Sequence, residues 1–464
     1  MEIEDLNSCV DETNHKYSLQ YFSRGGQGAI FKTQYSKVIV KIETSNDQPL
    51  PANEESRKKF LALRLLPIPR KLNVTVPMTL LADFSGYTMT LMEDMESFER
   101  AFSRESDAKI ENPWLESVAE SNPELALIFY NLILRGGLRR FWLAYFKAAE
   151  ILAQLHAAGL VYCDFSANNV FISSDQNFCH VWLIDADNLD FQKNTRDKSV
   201  YTPTVGAPEL HNGNNGCTFY ADCYAFASTM FQQLTERHPF QGEIYENAEV
   251  ELEDANACSY RGYFNEPGDL PWIFNSDDDS NSWSSVEIFR QELIPQNILE
   301  LFDRNFYAGL FQLQLRPQMN EWCFELARAL DSVIRCPYCQ MERYSSPEKC
   351  SWCDEPHPVV VMKSQFWTFS HEIKNGGEIP VPMRIVHGFR ANEIDAAAFT
   401  VALRNGKIII KKIGDKFTSE FSDASTPRKK SAGFETYRSE LEIFCTDSKG
   451  GIHSLIEVKI FNGT

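Results

Sequence analysis

Between Leu160 and Asp187 the chain reads LVYCDFSANNVFISSDQNFCHVWLIDAD. Three polar residues stand where its apolar patterning gives no reason for them. Asp164 and Asn169 lie five apart in a loop, and Asp185 closes the apolar run Val181-Trp182-Leu183-Ile184. Carboxylate and amide oxygens suit a hard cation, and a carboxylate can also accept a proton. Taken alone, the same residues also fit a turn with Asx side chains between two strands.

A second group has the chemistry of a softer metal. Of twelve cysteines, four fall in two pairs, Cys336-Pro337-Tyr338-Cys339 and Cys350-Ser351-Trp352-Cys353, with ten residues between them. Four thiolates on two turns match tetrahedral Zn²⁺ with bonds of about 2.3 Å. The N-terminal stretch MEIEDLNSCVDETNHK is acidic and has no apolar core of the secretory type. Metal binding is therefore favoured over disulfides. A redox dithiol is the alternative, but two complete pairs favour a closed structural site. His357 is nearby and surplus.

Residues 1–16 read as a polar tail. Tyr21 to Lys32 then forms a glycine-rich turn between two strands, with Gly25, Gly26 and Gly28 able to bring backbone amides close to phosphate oxygens. The next strand, Lys37 to Ile42, carries Lys41 back across that turn. A helix over 52–66 has Glu54 and Glu55 in its first turn, where acids suit the helix dipole. Strands are expected over 76–82 and 87–92, and loops over 103–123. Apolar residues at helical spacing predict a long helix over 138–158, which leads into the opening stretch. Further helices are expected over 220–234, 295–306 and 319–334. From Val359 the chain is rich in Val, Ile, Phe and Thr in short alternating runs, the pattern of a separate β-rich domain.

Over residues 18 to 334 this order resembles the eukaryotic-type protein kinase fold. The landmarks are Gly25 and Gly28, Lys41, Asp164 with Asn169, Asp185, Ala207-Pro208-Glu209, Asp222 and Arg316. Asp164-Phe165-Ser166-Ala167-Asn168-Asn169 and Asp185-Ala186-Asp187 are similar to one bacterial branch, in which a CxxC zinc ribbon often follows the kinase. The resemblance implies an α+β chain: a bilobal kinase-like fold over 17–334, divided near residue 95, then a zinc ribbon over 335–356 and a β-rich, sandwich-like domain over 357–464.

The resemblance also implies roles. Asn169 and Asp185 hold Mg²⁺ on ATP, and Asp164 accepts the proton of the substrate hydroxyl. Lys41 holds the α and β phosphates, oriented by Glu55 or, less favoured, Glu54. Ile39 lies above adenine, Met92 is the gatekeeper, and adenine bonds the backbone near Glu93 and Met95. Thr202 bonds near Asp164, as in serine/threonine kinases. Ser166 stands where most such enzymes carry a lysine, and Tyr162-Cys163 replaces His-Arg. The missing arginine predicts activity without phosphorylation of the activation segment.

The formal charge of −19 argues against broad nucleic-acid binding and against docking on anionic membranes. A cytoplasmic serine/threonine kinase acting on a protein partner is the leading expectation. The resemblance implies a von Willebrand A protein and a metal-dependent phosphatase as partners. The alternatives are a pseudokinase scaffold and a small-molecule phosphotransferase. The latter class is expected to lack both the Ala-Pro-Glu end and a Glu209–Arg316 pairing.

Overall fold

The computed structural model describes residues 2–25, 28–103, 109–192, 201–211, 216–244, 270–283, 290–344, 348–374, 376–447 and 453–461. They form two compact units. The first comprises the described residues within 2–101 and 147–230, the second those within 102–146, 231–244 and 270–461.

In the first unit the strands Gln20–Gly25, Gly28–Lys32, Val38–Ser45 and Gly86–Thr90 pair antiparallel, with the short strand Gln48–Pro49 added to Val38–Ser45. Ala29, Phe31, Val40 and Ile42 are fully buried, and each of the larger side chains contributes about 1.5–3 kcal/mol. Gly28 is required by the sheet itself: a Cβ there would meet the Ile42 carbonyl oxygen at 2.4 Å. The helix Glu54–Arg64 is capped by Asn53, whose side chain accepts from the Ser56 amide, and it buries Phe60 and Leu63.

The expected polar tail is corrected. Ser8–Val10 and Lys16–Ser18 form a hairpin, and Ile3, Leu6, Cys9 and Tyr17 pack into the same core as Phe31 and Val40. The turn is organised by buried Asp11, which accepts bonds from the Thr13 amide and hydroxyl, the His15 amide and the Tyr17 hydroxyl. The run 76–82 forms no continuous strand: it makes the bridges Leu80 to Tyr87 and Leu81 to Asp11, and the Met78 and Leu81 amides donate to the Thr88 and Gly86 carbonyls. Pro77, which has no amide to donate, marks where this pairing begins.

The helix Gly137–Ala157 leads to the strand Leu160–Val161, which pairs with Asp190–Phe191. Val170–Ser173 lies between Val181–Leu183 and Met95–Ser97. The loops between these short strands carry Asp164, Asn169 and Asp185.

In the second unit, the helix Pro113–Ser121 stands where loops were expected over 103–123, and the helix Pro123–Leu134 follows it. Each has an Asn cap followed at once by Pro, the signature of a helix start. Beyond the helix Met319–Ser332, ten strands build two antiparallel sheets of six and four strands. Phe399 on the smaller sheet meets Phe417 and Phe421 on the larger, and Phe421 stacks on Phe434. The β-rich domain is therefore a sandwich. Asp331 on the helix is buried and bonded to Trp367 and Arg384, and Arg139 forks onto Glu372, so the sandwich shares buried ion pairs with the helices of its unit.

Candidate active site

Asp222, fully buried near the start of the helix Phe219–Thr235, fixes the loop before Asp164. Its two oxygens accept from the Tyr162 amide at 2.7 Å and the Cys163 amide at 2.8 Å, and His156 Nε2 lies 3.0 Å away. Cys163 is held at φ 72°, a conformation that non-glycine residues rarely adopt. Tyr162 is buried, and its hydroxyl donates to the carbonyls of Ile184 and Asn169. It thus ties the loop to the strand that delivers Asp185.

Asn169 donates from Nδ2 to the Asp164 carbonyl and to its Oδ2, both at 3.0 Å, which leaves Asn169 Oδ1 as the remaining acceptor. Thr202 Oγ1 donates to Asp164 Oδ1 at 2.7 Å. Burial raises the Asp164 pKa and the charge of Asp185 adds to this, while the bonds from Thr202 and Asn169 oppose it. Ser166 is buried, and its carbonyl accepts from the Asn169 amide. Asp185 sits at φ 54°, ψ 52°, with its side chain 30% exposed.

Lys41 is 6% exposed at its side chain and pairs with two carboxylates, Asp185 and, at 2.8 Å, Asp187. Burial alone would lower its pKa, but Asp187 and Asp185 outweigh it and hold the ammonium charged. Asp187 is 1% exposed and accepts a second bond from the Tyr87 hydroxyl at 2.5 Å. Lys41 and Tyr87 are directly opposite in the antiparallel register, so both side chains leave the sheet on one face. Glu55 is exposed, and Glu54 is exposed and pairs with Lys58. The expected Lys41–glutamate pair is thus replaced here by Lys41–Asp187, because the first turn of the glutamate helix faces solvent.

The remaining candidates are placed as follows. Gly25 and Gly28 face each other across the glycine turn, and Gly26 lies outside the described residues. Ile39 is buried two residues before Lys41, opposite Met89. Met92 is half-buried and Glu93 exposed in the connection after Gly86–Thr90, and Met95 opens the strand Met95–Ser97. Sequence reading missed the partnership of Asp187 and Tyr87. Its signal was a second acid two residues after Asp185.

The cysteine cluster forms a second site. The four sulfurs lie within 4.8 Å of one another, with Cys336–Cys353 and Cys339–Cys350 at 3.7 Å. Tetrahedral bonds of about 2.3 Å put sulfurs about 3.8 Å apart, so the set fits Zn²⁺. The two turns repeat one geometry. The amides of Tyr338 and Trp352 point at Cys336 and Cys350 sulfurs at 3.4 Å, and Gln340 and Asp354 both take positive φ. Trp352 packs edge-on against Phe129, and Asn112 donates to the Cys339 carbonyl. His357 is buried beside Arg343, outside the sulfur cluster.

No family model matches the chain. It is similar to mouse ribosomal protein S6 kinase alpha-2, 32% identical over 108 residues. That stretch is 22% of this chain and 14% of the relative, so the chain spans a small part of the curated kinase that it matches. Among solved structures, the kinase domain of a Toxoplasma gondii specific rhoptry antigen aligns over 70% of this chain and 85% of its own, at 15% identity and a TM-score of 0.40, a likeness too distant to reason from.

Proposed function

We propose that the chain is a protein kinase that transfers the γ-phosphoryl group of ATP to serine or threonine of a protein partner. The bond from Thr202 to Asp164 carries this reading. A hydroxyl from the segment expected to bind substrate orients the one carboxylate suited to take the proton. Asp164 aligns the substrate oxygen and accepts its proton. Lys41 presents a fixed positive charge to the α and β phosphates. Asn169 Oδ1 and Asp185 are the oxygen donors that would hold Mg²⁺, whose charge stabilises the phosphates when it is bound. The backbone at Gly25 and Gly28 would cover the phosphates. Ile39, Met92, Glu93 and Met95 frame the adenine. Positioning and charge stabilisation then supply most of the rate.

Zn²⁺ on Cys336, Cys339, Cys350 and Cys353 is structural in this reading, and the sandwich offers a partner surface. A von Willebrand A protein and a metal-dependent phosphatase remain the proposed partners, in the cytoplasm. Among the described residues no helix is long and apolar enough to cross a membrane. One observation favours a pseudokinase scaffold instead: buried Ser166 places no cation beside Asp164. Incubation with γ-labelled ATP and Mg²⁺ separates these readings. Label on Ser or Thr of protein is expected. Label on a small molecule alone, or nucleotide binding with no transfer, contradicts it.

A further inference from the structure

We propose that Asp187 is the residue that positions Lys41, with Tyr87 holding Asp187 in place, and that no glutamate of the helix Glu54–Arg64 takes part. This rests on the kinase reading for what Lys41 then does, but its geometry is independent of it. Three observations carry it.

First, the three groups form a closed relay. Lys41 Nζ donates to Asp187 Oδ2 at 2.8 Å, and Tyr87 OH donates to Asp187 Oδ1 at 2.5 Å. Both oxygens of Asp187 are engaged and the side chain is 1% exposed. It therefore faces protein groups and not solvent. Second, the relay is built on adjoining strands. Lys41 and Tyr87 are paired residues in the register of Val38–Ser45 and Gly86–Thr90, so one sheet fixes both ends of the carboxylate. Third, the two acids around Lys41 differ. Asp185 is 30% exposed and Asp187 is not. Lys41 would therefore keep one buried carboxylate if Asp185 were drawn to a cation. A buried ammonium left without any partner would be strongly disfavoured.

The consequence is regulatory. Where an exposed helix supplies the orienting acid, movement of that helix can switch the site. Here the acid follows Asp185 by two residues and is held by the sheet residue Tyr87, against which Phe60 of the helix packs edge-on at 4.9 Å, so the helix can reach the lysine only through packing and not through a carboxylate of its own.

The test is acetylation of Lys41 by an N-hydroxysuccinimide acetate ester, read by mass spectrometry on the full chain. Wild type, Asp187→Asn, Tyr87→Phe and Glu55→Gln are compared, each checked by thermal melt. Asp187→Asn should raise the Lys41 acetylation rate by about tenfold or more, the equivalent of one charge-assisted hydrogen bond. Tyr87→Phe should raise it by less, and decides the matter if Asp187→Asn does not fold. Glu55→Gln should match wild type. An unchanged rate in the Asp187 or, failing that, the Tyr87 variant overturns the proposal, as does a rise in Glu55→Gln. Phosphoryl transfer measured in the same preparations reads the kinase assignment separately. There, Asp187→Asn should lower kcat/KM for ATP by about 10- to 100-fold and leave the KM for the protein acceptor unchanged.

Discussion

Two buried ion pairs, one in each unit, show what distinguishes a site from a clamp. Asp331 and Arg384 are 4% and 5% exposed. The guanidinium forks onto the carboxylate at 2.5 Å, Trp367 donates to the same acid at 2.6 Å, and Arg384 also reaches the Ile394 carbonyl. Burial raises the Asp331 pKa, with Arg384 opposing it. Every direction around this pair is filled by protein. Lys41 is as deeply buried, but one of its two acids, Asp185, is open to solvent. The difference teaches that burial alone marks structure. A buried charge that shares a partner with the solvent side marks chemistry.

The largest effect that would sharpen this contrast concerns the metal. One Zn²⁺ per chain is expected by elemental analysis. Its removal by chelation, or Cys350→Ser, should cost the second unit several kcal/mol of stability, as structural zinc sites do. A purified chain with no zinc and an unchanged melting curve would break the assignment. Next, Asp331→Asn should destabilise the second unit by about 3–5 kcal/mol in denaturant titration, because it strands a buried guanidinium. Asp187→Asn should cost less, since Lys41 retains Asp185. An equal loss would erase the distinction between clamp and site.

Thr202→Ala comes third. Losing one hydrogen bond to a carboxylate should lower kcat about 10- to 100-fold without changing the melting temperature. A smaller effect attaches to pH. Burial and the charge of Arg139 lower the His371 pKa to about 4. Burial alone would raise the Glu372 pKa, but the Arg139 bond and charge outweigh it and bring it down to about 2. Both groups bind protons more readily when unfolded, so the fold loses stability on acidification: charging buried His371 is penalised, and protonating Glu372 gives up its bond to Arg139. The His371 part is lost as pH falls from about 6.5 to about 4, and the Glu372 part from about 4.5 to about 2. Thermal melts across that range should show the decline, and Glu372→Gln should blunt its lower part. The smallest effect is Glu55→Gln, with stability within about 0.5 kcal/mol of wild type.

What could be read beforehand follows sequence distance. The cysteine cluster is local, spanning Cys336 to Cys353, and its spacing alone specified the sulfurs. The sandwich was legible from alternating runs. The long helix expected over 138–158 is Gly137–Ala157. The Lys41 relay joins residues 146 and 100 positions apart, so only a packed sheet could reveal it. Its one local sign was Asp187 itself, a second acid two residues after Asp185. The N-terminal hairpin escaped notice because its apolar residues are few, although Asp11 with Thr13 carried a turn signal. The helices at Pro113 and Pro123 escaped although Asn-Pro stands at the start of each.

The central claim is that Asp164, oriented by Thr202 and Asn169, accepts the proton of a substrate hydroxyl. Its most direct measurement sets wild type beside Asp164→Asn with γ-labelled ATP, Mg²⁺ and a protein acceptor, after confirming that both fold and bind nucleotide. An amide cannot take the proton, so transfer should fall about 100-fold or more, with nucleotide affinity retained. Transfer by Asp164→Asn at the wild-type rate would contradict the account.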